Sequence, residues 1–411
     1  MSRRRSLFVV GLVCLMGTAS VPSLSSPVGA AGAWHLLGAP RAAGRYYGEP
    51  DCPTDHLCLV TYSAPGHSGV MVTTNQGRTW RYSTMSGSPS GLEALSCASA
   101  TVCVAVGFRG SLESRSSAII ERSLNAGLSF SPVAIPSTVG APGRGNQLEA
   151  VACTEDTTCV AVGQATTSST PPGCNPPSCT SNQPYVSYGA VVLTSNDAGA
   201  TWSTSSPAGS FDDAYFAACS YTGLCQVVGI GMTACTSTGA GSMRCGAAGA
   251  ALGESTSSPV STSTVGGSAS PPWGTESVPR GVFALNGVTC LSASRCLAVG
   301  QSADSTLGHG VVLVTQDAGQ QWRALRPPAD SNSLMSVSCT SSRVCVVTGG
   351  WGRQFEPVVY ESATGGASWR IIARFPTLSN IVRSSCAPDG FCLASGTVGI
   401  GPREYGVLLA N

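Results

Sequence analysis

Ser195-Asn196-Asp197-Ala198-Gly199-Ala200-Thr201-Trp202 is the clearest copy of an eight-residue pattern that recurs along the whole chain. Thr73 to Trp80 and Thr315 to Trp322 share its frame. Looser copies run from Ser123 to Phe130, with Phe in the Trp slot, and from Ser362 to Trp369, with Thr364 in the Asp slot. The shared pattern is Ser/Thr-x-Asp/Asn-x-Gly-x-x-Trp, and its chemistry is that of a hairpin turn. A short Asp or Asn accepts bonds from backbone N–H groups across the turn, while Gly takes a positive φ. The hydroxyl adds a further bond, and the aromatic ring anchors the next strand in the core. The turn residues expected to carry this are Asn75, Gly77 and Trp80; Asn125, Gly127 and Phe130; Asp197, Gly199 and Trp202; Asp317, Gly319 and Trp322; and Gly366 with Trp369. The pattern specifies a fold and carries no catalytic group of its own.

Cysteines form a second framework. Seven pairs share the spacing Cys-x5-Cys: Cys52 with Cys58, Cys97 with Cys103, Cys153 with Cys159, Cys219 with Cys225, Cys290 with Cys296, Cys339 with Cys345 and Cys386 with Cys392. Each is followed by a small-apolar strand such as Cys103-Val104-Ala105-Val106-Gly107. Zinc sites usually show closer pairs with histidines, and His35, His56, His67 and His309 follow no repeat. A disulfide clamping two antiparallel strands across a turn explains the spacing better. Two further pairs, Cys174 with Cys179 and Cys235 with Cys245, fall between framework pairs.

The two frameworks keep step. From Trp80, Trp202, Trp273, Trp322 and Trp369 the next framework cysteine lies 17 residues on. From Trp34 it lies 18 on, and from Phe130 it lies 23 on. Seven pairs and seven aromatic anchors give seven repeats at a propeller period. The turn pattern resembles the Asp-box, or bacterial neuraminidase repeat, of sialidase-like β-propellers. The resemblance implies an all-β, seven-bladed β-propeller of four-stranded antiparallel blades (strands A to D), with one disulfide per blade between A and B. The last blade would be closed by the N-terminal strand at Trp34, because the chain ends on the strand that elsewhere precedes an Asp box.

Residues 1–33 read as an export signal: Arg3, Arg4 and Arg5, the apolar stretch Leu7 to Gly17, then small residues at Ala30, Ala31 and Ala33. That apolar stretch is too short for a membrane span, and no later stretch is long enough. Residues 34–411 are expected to form a single propeller domain, with insertions at about 166–184 and 229–270. Removing Cys14 leaves an even number of cysteines, which suits an oxidised, secreted or cell-envelope protein. The formal charge of +1 argues against an electrostatic nucleic-acid binder. Every basic side chain besides the histidines is arginine, which removes Schiff-base lysines and lysine-dependent phosphate loops.

In an up-and-down meander the A–B and C–D turns share one face, and the B–C loops and D–A connections share the other. Disulfides and Asp boxes decorate the first face. Insertions decorate the second, so a partner is expected there. Candidate ligand-binding residues on it are Trp351, Arg353, Arg403, Arg109 and Arg144. Trp351 is the one tryptophan outside the framework; it can stack on a sugar or a partner side chain, and it can equally pack under its own loop. Acids on that face are Glu113, Asp212, Asp213, Asp304, Glu356 and Glu404.

Sialidases use an arginine triad, a Tyr/Glu nucleophile pair and an acidic Asp. Their arginine-isoleucine-proline motif is missing here, and the adjacent Arg403, Glu404 and Tyr405 would point to alternate faces of a strand. Xyloglucan-processing hydrolases use two propellers with a cleft between them. Nearer in type are non-enzymatic Asp-box propellers, the photosystem II stability/assembly factor group and the sortilin ectodomain, which bind proteins or peptides. The expectation is therefore an exported, monomeric binding module for a protein or glycan outside the cell, using the B–C face. It implies no cofactor, no metal and no catalytic residue. The alternative is a secreted, exo-sialidase-like glycoside hydrolase with its site on the same face, marked by two carboxylates about 5 to 9 Å apart.

Overall fold

The computed structural model describes residues 33–38, 46–64, 67–112, 115–140, 143, 145–155, 157–168, 187–205, 213–219, 225–230, 235–238, 242–245, 273–274, 278–279, 281–302, 308–319, 321–399 and 404–411. Apart from one four-residue helix, Ser137–Gly140, the regular elements among them are strands. The small β-branched runs that follow each second cysteine are fully buried strands: Val104, Ala105 and Val106 are inaccessible to solvent, as are Leu297, Ala298 and Val299.

All seven Cys-x5-Cys disulfides are formed, and each closes an antiparallel A–B hairpin. Cys58 is bonded to Cys52, Cys103 to Cys97, Cys159 to Cys153, Cys225 to Cys219, Cys296 to Cys290, Cys345 to Cys339 and Cys392 to Cys386, with Cα atoms 3.9 to 4.1 Å apart. In six of them the two cysteines stand directly opposite in register. In the first, Cys52 lies one residue beyond its strand, whose last pair is Asp51 opposite Leu59. The second cysteine of every pair opens strand B and is sealed in the core: Cys58, Cys103, Cys159, Cys225, Cys296, Cys345 and Cys392 are all buried. These sulfurs are therefore structural, and none of the seven is open to a ligand.

Strands follow A-B-C-D order, as in Gln147–Cys153, Cys159–Ser168, Ser187–Ser195 and Ser203–Ser205. The sheet of Asn380–Cys386, Cys392–Val398 and Tyr405–Ala410 takes His35–Leu36 as its fourth strand, with His35 opposite Ala410. The N-terminal closure expected from the sequence is therefore present.

The A strands touch one another in a closed circle, from Tyr46–Asp51 round to Asn380–Cys386 and back, and enclose an axial channel. The fold is a β-propeller. The expectation of seven separate blades is corrected to six sheets among the described residues. Ile230 pairs with Ala284, and this joins the strands of the fourth and fifth repeats into one nine-stranded sheet. Two further expectations change there. The segment from 229, expected as a loop insertion, supplies the strands Cys235–Thr238 and Ser242–Cys245, on which Cys235 and Cys245 stand opposite each other. A fifth strand, Thr84–Met85, joins the outer edge of the second sheet in parallel with Ser129–Val133. Cys174, Cys179 and most of the expected 166–184 insertion lie outside the described residues.

The turns have the bonding their sequence anticipates. In each, the first hydroxyl accepts from the glycine N–H at 2.8 to 2.9 Å: Thr73 from Gly77, Ser123 from Gly127, Ser195 from Gly199, Thr315 from Gly319 and Ser362 from Gly366. The Asp or Asn oxygen accepts from the N–H four residues on, as Asp197 does from Thr201 at 2.8 Å, and Thr364 Oγ1 substitutes in the last copy. Gly199 has φ +79°, and a Cβ there would lie 2.5 Å from Val104 Cγ2 of the preceding sheet. The glycine is needed both for its backbone angle and for close approach. The residue before it also has positive φ (Ala126, Ala198 and Ala318), which the sequence reading did not anticipate.

That residue links the two frameworks. Ala126 N–H donates to Thr101 O, Ala198 to Thr157 O, Ala318 to Ser294 O and Gly365 to Arg343 O, at 2.7 to 2.9 Å. Each acceptor lies four residues after the first cysteine of its own hairpin. Both turn types therefore sit on one face and hold each other. The aromatic anchors pack between consecutive sheets: Trp202 against Val104, Val106 and Ile120, and Phe130 against Leu59 and Val70. The core is thus a series of layers between sheets, and it contains Leu193, Leu297 and Tyr360 without exposure.

Asp197→Ala removes bonds from Ser195 Oγ, Thr201 N and Thr201 Oγ1. We expect a loss of about 1–2 kcal/mol in urea unfolding, whereas Asp197→Asn, which matches Asn75 and Asn125 in the same slot, should lose less than half of that.

Candidate functional site

Each A–B hairpin carries a β-bulge at the same level. The register slips between Tyr47 and Pro50, Leu92 and Ala94, Leu148 and Ala150, Ala214 and Phe216, Leu285 and Gly287, Leu334 and Ser336, and Ile381 and Arg383. A bulge leaves one residue unpaired and re-aims the side chains around it. Glu49, Glu93, Glu149, Asn286, Met335, Val382 and Arg383 lie at or beside these bulges on A strands whose flanking residues are buried. They line the axial channel.

The channel's electrostatics centre on Arg383. Its guanidinium lies 3.8 Å from the Phe216 ring centroid and interacts with Glu49, Glu149 and Glu93. Burial lowers its pKa, and the three carboxylates oppose that effect. Burial also raises Glu49 and Glu93, partly offset by Arg383. Glu149 accepts from Gln147 Nε2 at 2.7 Å. Arg383 Nη1 is buried and has no acceptor.

The channel opens at the disulfide face into a cavity of about 380 Å³, ringed by strand ends and turns from all the A–B hairpins. Its wall is rich in small and hydroxyl residues, and its charged members are Glu49, Asp51 and Glu155. In four of the hairpins the residue before the first cysteine forms part of a seam around this mouth. Asp51 Oδ2 accepts from Cys97 N at 2.6 Å, Ser96 Oγ from Cys153 N at 3.1 Å, Ser338 Oγ from Cys386 N at 3.0 Å and Ser385 Oγ from Cys52 N at 3.1 Å. Burial pushes the Asp51 carboxyl up to about 7; the Cys97 N–H opposes this and the Glu49 charge adds to it. Among the described residues no group of His, Cys, Asp or Glu is arranged to hold a metal ion.

The residues singled out from sequence are not brought together. Trp351 lies under Arg374, whose guanidinium is 3.9 Å from the ring centroid, and packs partly buried against the core layer of Val347 and Tyr360. Arg374 in turn is bonded to Glu356 at 2.9 Å. Trp351 packs against its own layer and keeps part of its surface exposed. Arg353 is exposed in the adjoining turn. Arg109 donates to the Gly87 carbonyl and faces Glu121, a buried carboxyl raised by desolvation, so it fastens the segment that crosses from the first sheet to the second. Arg144 and Arg403 lie outside the described residues, as do Glu113, Asp212 and Asp304. The channel residues escaped the sequence reading, although Glu93, Glu149, Asn286 and Met335 all stand four residues before a framework cysteine.

No protein-family model and no curated protein matches the chain. Solved structures do share its fold. It is similar to YCF48 bound to D1 peptide, at TM-score 0.55 and 13% identity, covering 95% of this chain and 98% of that one. It is also similar to a GH74 xyloglucanase from Xanthomonas campestris, at TM-score 0.54 and 15% identity, covering 90% of this chain and 55% of that one. An α-l-arabinofuranosidase from Fusarium graminearum in complex with an iminosugar inhibitor matches at TM-score 0.50 and 12% identity, covering 92% and 98%. At these identities the likeness establishes a β-propeller fold and nothing about activity.

Two outcomes follow. A folded-state pKa above the unfolded value gives stability that is complete below the ordinary carboxylate range and is lost as pH rises through the folded value. Asp51, Glu49 and Glu93 all act in this direction, whereas Asp197, where desolvation is outweighed by the sum of the bonds it accepts in its turn, is lowered and acts in the opposite one below that range. The melting temperature should therefore fall between about pH 5 and about pH 8, and Asp51→Asn, which keeps an acceptor for Cys97 N–H, should flatten that fall in calorimetric scans. Trp351→Ala should cost about 3 kcal/mol in chemical denaturation, because it empties a packed site under Arg374.

Proposed function

We propose that this protein is an exported Asp-box β-propeller that acts as a binding module for a partner outside the cytoplasm, with residues 1–33 as signal and 34–411 as one domain. The carrying observation is the cavity at the channel mouth. A wall contributed by all the hairpins is shaped to receive a ligand, and its polar groups are serines and threonines without a histidine, together with three acids. Several of these groups already accept from backbone N–H groups, including Asp51, Ser96, Ser338 and Ser385. Such a lining suits recognition of a ligand, and it holds no histidine beside a hydroxyl for acyl transfer.

Other observations support the reading. Seven disulfides suit an oxidising, extracytoplasmic compartment. No described helix is long and apolar enough to cross a membrane. A propeller of the same fold has been seen with a peptide bound, which gives a precedent for a protein partner. The B–C face, with exposed Arg353 beside the Trp351–Arg374 pair, is a second contact surface, and Arg109, Arg144 and Arg403 are its further candidates. The hydrolase alternative draws less support, because Glu356 is committed to Arg374.

The test is a fluorogenic-glycoside panel and a glycan array on the chain from Trp34 to Asn411, followed by affinity capture from the cell envelope. We expect no turnover of any glycoside and one saturable partner. Turnover of any glycoside would overturn the binding-module reading.

A further inference from the structure

The Asp-box turn of the second sheet departs from its sister turns at two positions. The second and sixth residues of the turn face solvent in other copies: Thr74 and Arg78, Asn196 and Ala200, and Ala363 and Ala367 are all exposed. The turn from Ser123 to Phe130 places Leu124 and Leu128 there, 64% and 48% exposed. Its own bonds run through Ser123, Asn125, Gly127 and Ser129, so neither leucine is needed for its shape. A scattered exposed leucine needs no explanation. Leu124, however, forms the lip of a groove.

That groove, of about 440 Å³, lies between the second and third sheets on the Asp-box face. Leu124, Pro132, Val133 and Ala200 give it apolar walls; Arg122 and Ser131, which stand opposite each other in register, give it polar ones. Arg122 Nε donates to Ala198 O of the third sheet's turn at 2.8 Å, which fixes the guanidinium. Its two Nη groups find no acceptor among the described residues. No acid is among the described residues that line the groove, because the slot that is Asp in the third and fifth copies is Asn125 here. Two acids close in sequence are turned elsewhere: Asp197 accepts from Ser195 and Thr201 inside its own turn, and Glu121 is buried on the side of Arg109. A guanidinium held by one nitrogen, with its other edge free and no acid beside it, is complementary to a carboxylate.

We propose that this groove between the second and third sheets binds a segment of a partner protein that carries Asp or Glu beside an aliphatic side chain. The carboxylate meets the Nη edge of Arg122, with Ser131 Oγ as a further donor, and the aliphatic side chain lies on Leu124, Pro132 and Val133. A sugar acid fits less well, because no aromatic ring among the described lining residues is there to stack on a sugar face. The two turns that flank the groove are already tied to their hairpins, Ala126 N–H to Thr101 O and Ala198 N–H to Thr157 O, so little ordering remains to be done on binding. The groove shares no residue with the channel mouth, and the inference does not depend on a ligand there.

The experiment is fluorescence anisotropy of a labelled Gly-Leu-Glu-Leu-Gly peptide titrated with the whole protein, beside Gly-Leu-Gln-Leu-Gly and Gly-Ser-Glu-Ser-Gly. We expect saturable binding of the first, weakened by added salt, and about tenfold weaker binding of each of the others. Arg122→Gln should remove the preference for Glu over Gln and leave the affinity for the Gln peptide as it was. Leu124→Ser, at a turn position that the fold leaves free, should weaken the first peptide about fivefold at an unchanged melting temperature. Leu128→Ser, which does not line the groove, should leave the affinity unchanged. Equal binding of the Glu and Gln peptides, no saturable binding of any peptide, or a Glu preference that survives Arg122→Gln would overturn the proposal. Equal losses in the two leucine variants would overturn it too, since the contact would then lie outside the groove. The reading of the channel mouth is judged separately by the glycoside panel, which involves none of these residues.

Discussion

The structure depends on the short cross-strand cysteine pair that ends each A–B hairpin. Because the bridge fixes the hairpin's register, every other repeated feature falls at a set distance from it. The bulge that turns a side chain into the channel lies about four residues before the first cysteine. The seam acceptor lies one residue before it, and its partner is the next hairpin's cysteine N–H. The carbonyl that receives the glycine turn of the same blade lies four residues after it. A hairpin closed over so few residues loses little chain entropy on folding, so each bridge contributes about 2 kcal/mol by limiting the unfolded chain. Its larger consequence is geometric, since a one-residue slip would move every channel side chain to the opposite face of its strand.

Placing carboxylates in that channel has an energetic consequence. Three glutamates from neighbouring strands face one arginine, and burial works against the charged forms of Glu49, Glu93 and Arg383. Burial lowers the Arg383 pKa, while the carboxylates and the Phe216 ring favour its charged form. Glu49 and Glu93 are shifted toward their neutral forms. A buried network with more acids than bases adds little to fold stability. The fold is instead secured between sheets, where Trp202, Trp322 and Phe130 fill the layers and the turn glycines allow neighbouring sheets to touch.

Much of this architecture was legible in the chain because it is written in local chemistry repeated many times. The disulfides, the hydroxyl-to-glycine bond of the turns, the anchoring of Trp202 and the closure by His35–Leu36 all follow from residue type and spacing. The sheet count was not legible. It changed because Ile230 reaches Ala284, a pairing between two repeats that no periodicity announces. Cys235–Thr238 read as loop since its Ser/Thr/Gly-rich neighbours hide a four-residue strand. The site was the least legible part. Glu93 and Glu149 share a spacing with Asn286 and Met335, whose chemistry differs, so a search for repeated residue types passes over them. Arg383 and Glu49 meet only because the ring closes, bringing the first and last A strands together.

The two faces of the propeller divide rigidity and variation between them, and this bears on where recognition occurs. The B–C face is where the sequence leads one to expect insertions, and its conspicuous tryptophan is held under Arg374. Among the described residues, the opposite face gathers the framework disulfides, the hydroxyl-to-glycine turns and cross-links such as Arg295 to the carbonyls of Ser342 and Gly365. Variation alone favours the first face, and drift in tolerant loops produces variation equally well. Preorganisation favours the second, because a ligand bound there meets polar groups already fixed in place. A rigid rim around an undercompensated acidic channel is costly unless the imbalance is used, since the same backbone could carry Asn or Met at those bulges, as it does at Asn286 and Met335. The residues that the fold does not require to be acidic, Glu49 and Glu93, are therefore the ones whose charge bears on recognition at that end.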